Sequence, residues 1–151
     1  MQLTLHSDYA LRVLIHLAVH RERRVTAEEI ARAYGISHTH LTKVVQRLGH
    51  EGFVETIRGR GGGLRLAREP ETIGLGQVIR VTESLALVEC FGPDPEACVI
   101  TPVCGLRVAL GEALEAFLGV LDEKSLADVV RRPGSLRRRL AAGLAERTLE
   151  A

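Results

Sequence analysis

No stretch of this 151-residue chain approaches the ~20 consecutive apolar residues of a membrane-spanning helix. The opening Met1-Gln-Leu-Thr-Leu has neither a basic segment nor a cleavage site, so no secretory signal is read there. A fourth cysteine is missing. Cys90, Cys98 and Cys104 are an odd set that cannot all pair within one chain. A secreted disulfide framework is a poor fit, and a reducing cytoplasm is the expected compartment. Histidine does not occur after His50, which excludes a local zinc knuckle of four cysteines or of three cysteines and a histidine. No Cys-His motif supplies a base for a nucleophilic cysteine, so an enzyme is not expected. What is present is 46% hydrophobic residues, enough for a real core in one domain with or without a small extension.

The net charge is only +1, but it is unevenly spread. Residues 1–70 hold 11 Lys+Arg against 7 Asp+Glu, net +4; residues 71–130 hold 3 against 10, net −7; residues 131–151 hold 6 against 2, net +4. All six histidines lie in the first segment and all three cysteines in the second. A basic N-terminal segment points toward nucleic acid.

The first segment reads as a winged helix. Ser7 is the expected N-cap of a first helix with Asp8 in its first turn, and Leu11, Leu14, Ile15 and Ala18 mark one buried face. Thr26-Ala-Glu-Glu29 reads as a capping box opening a second helix through Tyr34, with Gly35 as its stop. Ser37 caps a third, whose inward stripe is Leu41, Val44, Val45 and Leu48. Two helices joined by the three-residue turn Gly35-Ile36-Ser37 predict a helix-turn-helix. Phe53–Arg58 and Leu64–Ala67 then read as strands around the hairpin tip Gly59-Arg-Gly-Gly-Gly63. A phosphate loop is excluded there, because no Lys-Ser/Thr follows and the next element is a strand. The outward residues of the third helix, Ser37, His38, Thr39, His40, Thr42, Lys43, Gln46 and Arg47, suit base edges and phosphates. Arg58 and Arg60 at the wing suit phosphates or a groove edge.

The middle segment has sensor chemistry. Leu75, Val78, Ile79 and Thr82 predict a short helix packed on the winged helix. Cys90-x7-Cys98-x5-Cys104 follows on a loop broken by Gly92, Pro93, Pro95 and Pro102. Three thiols on such a loop suit a soft centre, either zinc or an iron–sulfur cluster. The fourth ligand would come from the N-terminal region, a carboxylate or another subunit. Redox-active thiols without a metal are the alternative. Leu106, Leu110, Ala113, Phe117 and Val120 form an a/d stripe on the longest predicted helix, the expected homodimer interface. Ser125–Val130 reads as a further short turn of helix. After Arg131-Arg-Pro-Gly134, Ser135 is expected to cap a last helix with Leu136, Leu140 and Leu144 on one side and Arg137, Arg138 and Arg139 solvated.

The expected fold is mainly α, a winged helix-turn-helix with a two-stranded wing, a sensor loop and a long dimerisation helix. Its divisions are 1–83, the DNA-binding domain; 84–104, the cluster-binding loop; 105–130, the dimerisation helix and the short helix after it; and 131–151, a basic tail helix.

Over roughly residues 1–130 the chain resembles the iron–sulfur winged-helix transcription regulators of the IscR/NsrR family. The resemblance is carried by Ser7-Asp-Tyr-Ala-Leu-Arg12, by Gly59-Arg-Gly-Gly-Gly63 and by the three-cysteine loop. Leu87-Val-Glu-Cys90, Cys98-Val-Ile-Thr-Pro-Val-Cys104 and Ser125-Leu-Ala-Asp-Val-Val130 are most similar to its nitric-oxide-sensing repressors. IscR-type members carry a histidine three residues after the last cysteine, where this chain has Arg107. The x7 spacing is longer than that group's. The resemblance implies a 4Fe–4S cluster held by Cys90, Cys98 and Cys104, with the partner subunit's Asp8 as fourth ligand. It also implies a homodimeric repressor on a palindromic operator in double-stranded DNA, released when nitric oxide attacks the cluster. The alternative is a 2Fe–2S or thiol-based redox- or iron-responsive regulator of the same fold.

Overall fold

Helical periodicity gives way to strand alternation once along the chain, and the architecture is divided at that point. A computed structural model describes residues 2–96 and 98–149, with side chains as far as Ala145. Helices α1 (Leu5–Val19), α2 (Ala27–Tyr34) and α3 (His38–His50) precede an antiparallel sheet of β1 (Val54–Ile57) and β2 (Gly63–Leu66). After it come α4 (Leu75–Thr82), α5 (Gly105–Asp122), α6 (Leu126–Val129) and α7 (Pro133–Leu149). The fold is the expected mainly helical winged helix-turn-helix.

Helix α1 begins earlier than expected. Thr4, not Ser7, is its N-cap, and the Thr4 hydroxyl accepts from the Ser7 N–H at 3.3 Å. Ser7 is fully buried in the first turn and donates its hydroxyl to Thr82 Oγ1 at 2.8 Å, so it joins two helices instead of ending one. The buried face also differs from the expected stripe. Ala10, Val13, Leu14 and Val19 are fully buried and Leu17 nearly so, while Leu11 and Ile15 are half-buried. The cause is that α1 packs against α3, α4, α6, α7 and β2, so more than one face is covered.

Thr26 caps α2 by accepting from the Glu29 N–H at 3.1 Å. The reciprocal half of the expected capping box is replaced: Arg23 holds the Glu29 carboxylate. Gly35 takes the left-handed conformation (φ 64°) that closes α2 and lets Ile36 N–H reach Ala31 O at 2.9 Å. Ser37 then caps α3, and Leu41, Val44, Val45 and Leu48 are all buried as its periodicity predicts. The wing pairs Val54 with Leu66 through Ile57 with Gly63, and Val25 extends it by exchanging both backbone bonds with Leu64. At its tip, a Cβ on Gly62 would lie 2.3 Å from Ile57 O, and Arg24 donates to Gly61 O at 2.8 Å.

The C-terminal half returns twice to this body. Leu126 of α6 is fully buried in the winged-helix core, and its N–H donates to Ile73 O at 2.8 Å. Helix α7 starts at Pro133, two residues before the expected cap Ser135, because proline is favoured in a first turn where no N–H is needed. It is not simply solvated. It packs on α2 and α1, and Arg137 donates to Val19 O and pairs with Glu22 at 2.9 Å.

Under α7 lies a cleft of about 170 Å³ lined by His16, His20, Arg23, Glu29, Leu140 and Leu144, among others. His16 is 2% exposed, stacks on His20 (ring centroids 4.5 Å apart), and neither of its ring nitrogens has a hydrogen-bond partner among the described residues. Burial, with the neighbouring His20 second, pushes its pKa down to about 4. Between that value and the ordinary 6.5 the unfolded chain binds the extra proton, so folding stability falls on acidification through this window. The expected loss is on the order of 3 kcal/mol, complete below about pH 4. Urea unfolding at neutral pH and near pH ~4.5 checks this, with His16→Leu losing most of that pH dependence.

Candidate nucleic-acid interface and sensor loop

With its apolar stripe turned into the core, α3 presents the opposite face outward. Ser37, His38, Thr39, His40, Lys43 and Gln46 are exposed. Thr42 is half-buried, and its hydroxyl donates to His38 O at 2.9 Å. Among the described residues, the side chains of His38, Thr39, His40, Lys43 and Gln46 make no hydrogen bond to the rest of the chain. The first turn of α3 contains no acidic residue, so the positive end of its dipole is not neutralised. Arg58 and Arg60 are exposed at the wing. Arg47 differs from its neighbours. Its Nε donates to Val81 O at 2.9 Å and its Nη2 lies 3.3 Å from Glu51, which turns the guanidinium toward α4.

The cysteine loop is built from short turns. Cys90 is buried in a 3₁₀ turn, Glu89–Phe91. Cys98 accepts at its carbonyl from Thr101 N–H at 3.0 Å, at the start of a second turn, Thr101–Val103. Cys104 is the N-cap residue of α5. All three thiols are free, and Cys98 and Cys104 are half-buried. In this conformation no three metal-ligating side chains are gathered among the described residues. The donor set, three unpaired thiols on one loop, fits a thiophilic centre in its chemistry. The loop also bares its apolar side chains: Val99 is 92% and Val103 86% exposed.

Asp8 lies in the first turn of α1. Arg12, one turn on, holds both of its oxygens, with Nε–Oδ1 at 3.0 Å and Nη2–Oδ2 at 2.7 Å. Sequence reasoning missed this pair, although its i, i+4 spacing on a helix is a usable signal. Thr4 donates its N–H and hydroxyl to Glu83 Oε1 at 2.5 and 3.0 Å, which fastens the start of α1 to the residue where the cysteine loop begins. Burial works to raise the Glu83 carboxyl, but hydrogen bonding, that of Thr4 included, outweighs it and holds its pKa below the ordinary value. The sequence carried no signal for this tie.

The predicted interface stripe lies on α5 with little cover. Leu106 is 64% and Val120 61% exposed, Ala113 is exposed, and Leu110 and Phe117 are half-buried. Leu118 is the buried residue of this helix.

The profile of the Rrf2 family, described as iron-dependent transcriptional regulator, matches residues 3–132, so α7 lies beyond it. The chain is 54% identical to the HTH-type transcriptional regulator NsrR of Geobacillus kaustophilus (strain HTA426), covering 91% of this chain and 95% of the relative. It is 53% identical to that of Bacillus subtilis (strain 168), covering 87% and 91%. Among solved structures it is similar to T. potens IscR (TM-score 0.71, 26% identity, 87% of each chain). It is also similar to CymR, the global cysteine regulator of B. subtilis (TM-score 0.68, 29% identity, 87% and 97% of the two chains). The chain belongs to the Rrf2 family and is a DNA-binding transcription regulator, not an enzyme.

Proposed function

We propose that the protein is a homodimeric cytoplasmic repressor that senses nitric oxide through a 4Fe–4S cluster and releases a palindromic operator when the cluster is attacked. The observation that carries the reading is the set of three free thiols on one loop at the root of α5, with no fourth cysteine and no histidine on it. Cys90, Cys98 and Cys104 would hold the group, with the partner subunit's Asp8 as fourth ligand. When bound, it supplies iron that reacts with small gas molecules. A carboxylate is a harder and more labile ligand to such iron than a thiolate.

The chain's own part is mechanical. To act as a ligand Asp8 leaves Arg12, its partner here. The loop of one subunit is then tied to α1 of the other, and that tie fixes the separation of two α3 helices. Half-sites about one turn of DNA apart, ~34 Å, require that separation. Release of the tie lets the helices lose register, and a coupling on the order of 1–3 kcal/mol is enough for the switch. The uncovered apolar side of α5 supports the dimer, since contiguous exposed patches of this kind mark interaction surfaces. His38, Thr39, His40, Thr42, Lys43 and Gln46 face the base edges in this reading, while Ser37, Arg58 and Arg60 meet phosphates.

Three outcomes are expected. Lys43→Ala and Arg60→Ala each weaken operator binding in anisotropy titrations over a salt series and lower the salt slope by about 1; an unchanged slope places the residue off the phosphates. Asp8→Ala loses cluster retention or the nitric oxide response, followed by anaerobic absorption together with iron and sulfide analysis. A variant that keeps both rules out the cross-subunit ligand, and wild-type protein without iron and sulfide moves the reading to a thiol switch. Leu106→Glu combined with Val120→Glu shifts sedimentation to the monomer with an unchanged circular dichroism spectrum; a persisting dimer puts the interface elsewhere.

A further inference from the structure

Four consecutive residues at the end of α4 each hold a different part of the molecule. Arg80 grips the far end of α5, with Nη1 and Nη2 at 2.5 and 2.7 Å from the two Asp122 oxygens. Gly76 makes room for that grip, since a Cβ there would lie 2.0 Å from Asp122 Oδ1. The Val81 carbonyl accepts from Arg47 of α3 at 2.9 Å. Thr82 Oγ1 accepts from the Ser7 hydroxyl of α1 at 2.8 Å, and the Glu83 carboxylate accepts from Thr4 at the cap of α1. The chain then runs directly into the cysteine loop.

The last carbonyls of a helix have no intrahelical donor, and Val81 is in that position. Arg47 supplies the donor from across the domain. Its remaining polar contact is with Glu51, the residue that caps the end of its own helix. The guanidinium thus has two contacts to the protein and stays partly exposed, while the side chains of Lys43 and Gln46 on the same helix make no hydrogen bond among the described residues.

We propose that Arg47 is a positioning residue that couples the recognition helix α3, through Val81–Glu83, to the root of the cysteine loop. A change in the loop that moves Glu83 or Thr82 displaces Val81, and with it the side chain that holds the C-terminal half of α3. The step from loop to DNA affinity rests on the regulatory reading proposed above; the mechanical tie does not.

The test compares full-length wild type, Arg47→Ala and the control Lys43→Ala. Amide hydrogen exchange on cluster-free protein is expected to quicken several-fold in the last turn of α4 and in α3 around residue 47 for Arg47→Ala, and to stay at the wild-type rate in α4 for Lys43→Ala. Operator affinity, measured with and without the cluster over a salt series, is expected to show a ratio between the two forms that falls at least threefold toward unity in Arg47→Ala, with the salt slope unchanged. Unchanged exchange at the end of α4 overturns the proposal. So does an equal loss of affinity in both forms with a slope lower by about 1, which makes Arg47 a phosphate contact. If the two wild-type forms bind the operator equally, the proposed switch fails, and the exchange comparison alone decides the tie.

Discussion

The burial of α1 on several sides is the constraint to which the rest of the domain answers. Ala10, Val13 and Leu14 are fully inaccessible and Leu17 nearly so, and each buried Leu or Val contributes roughly 1.5–3 kcal/mol of transfer free energy. A helix held this way does not shift as an independent rod. Helix α3, the wing and α4 all pack on it or next to it. Asp8 at one end and the His16 cleft at the other are fixed relative to the exposed face of α3.

The opposite condition holds on α5. This helix is fixed at its C-terminal end by the Arg80–Asp122 pair and by the Leu75 N–H to Lys124 O bond, while most of its apolar length lies open. A covered core next to an uncovered helix divides the molecule into a closed part and an open one. The cysteine loop is at the border between them, and its bare Val99 and Val103 belong to the open part.

Those two regions differ in how far residues alone foretell them. The helix-turn-helix was legible because its signals are local: a left-handed Gly35, capping hydroxyls at Thr26 and Ser37, and a 3,1,3 apolar spacing from Leu41 to Leu48. The wing was legible for the same reason. Contacts between residues far apart in the chain were not. Arg47 carries every mark of a DNA contact in the sequence, and its bond to a backbone carbonyl 34 residues on could not be foreseen there. Thr4 was passed over as a cap because Ser7 offered an equivalent hydroxyl, and only the placement of Thr82 decides between them. The cysteines are the intermediate case. Residue type and spacing point to their chemistry, but a loop of short turns does not by itself bring three sulfurs together.

The His16 cleft joins positions far apart along the chain. His16 is dry because Leu140 and Leu144 of α7 line the same cleft, and Gly143 brings that helix close to Ala33, where a Cβ would lie 3.6 Å from the carbonyl. His16, Ala33 and Leu144 therefore line one cleft, although more than a hundred positions separate the first from the last. Without α7, whose Leu140 and Leu144 line one side of the cleft, His16 would meet water, so the far end of the chain governs how dry a residue of the first helix is.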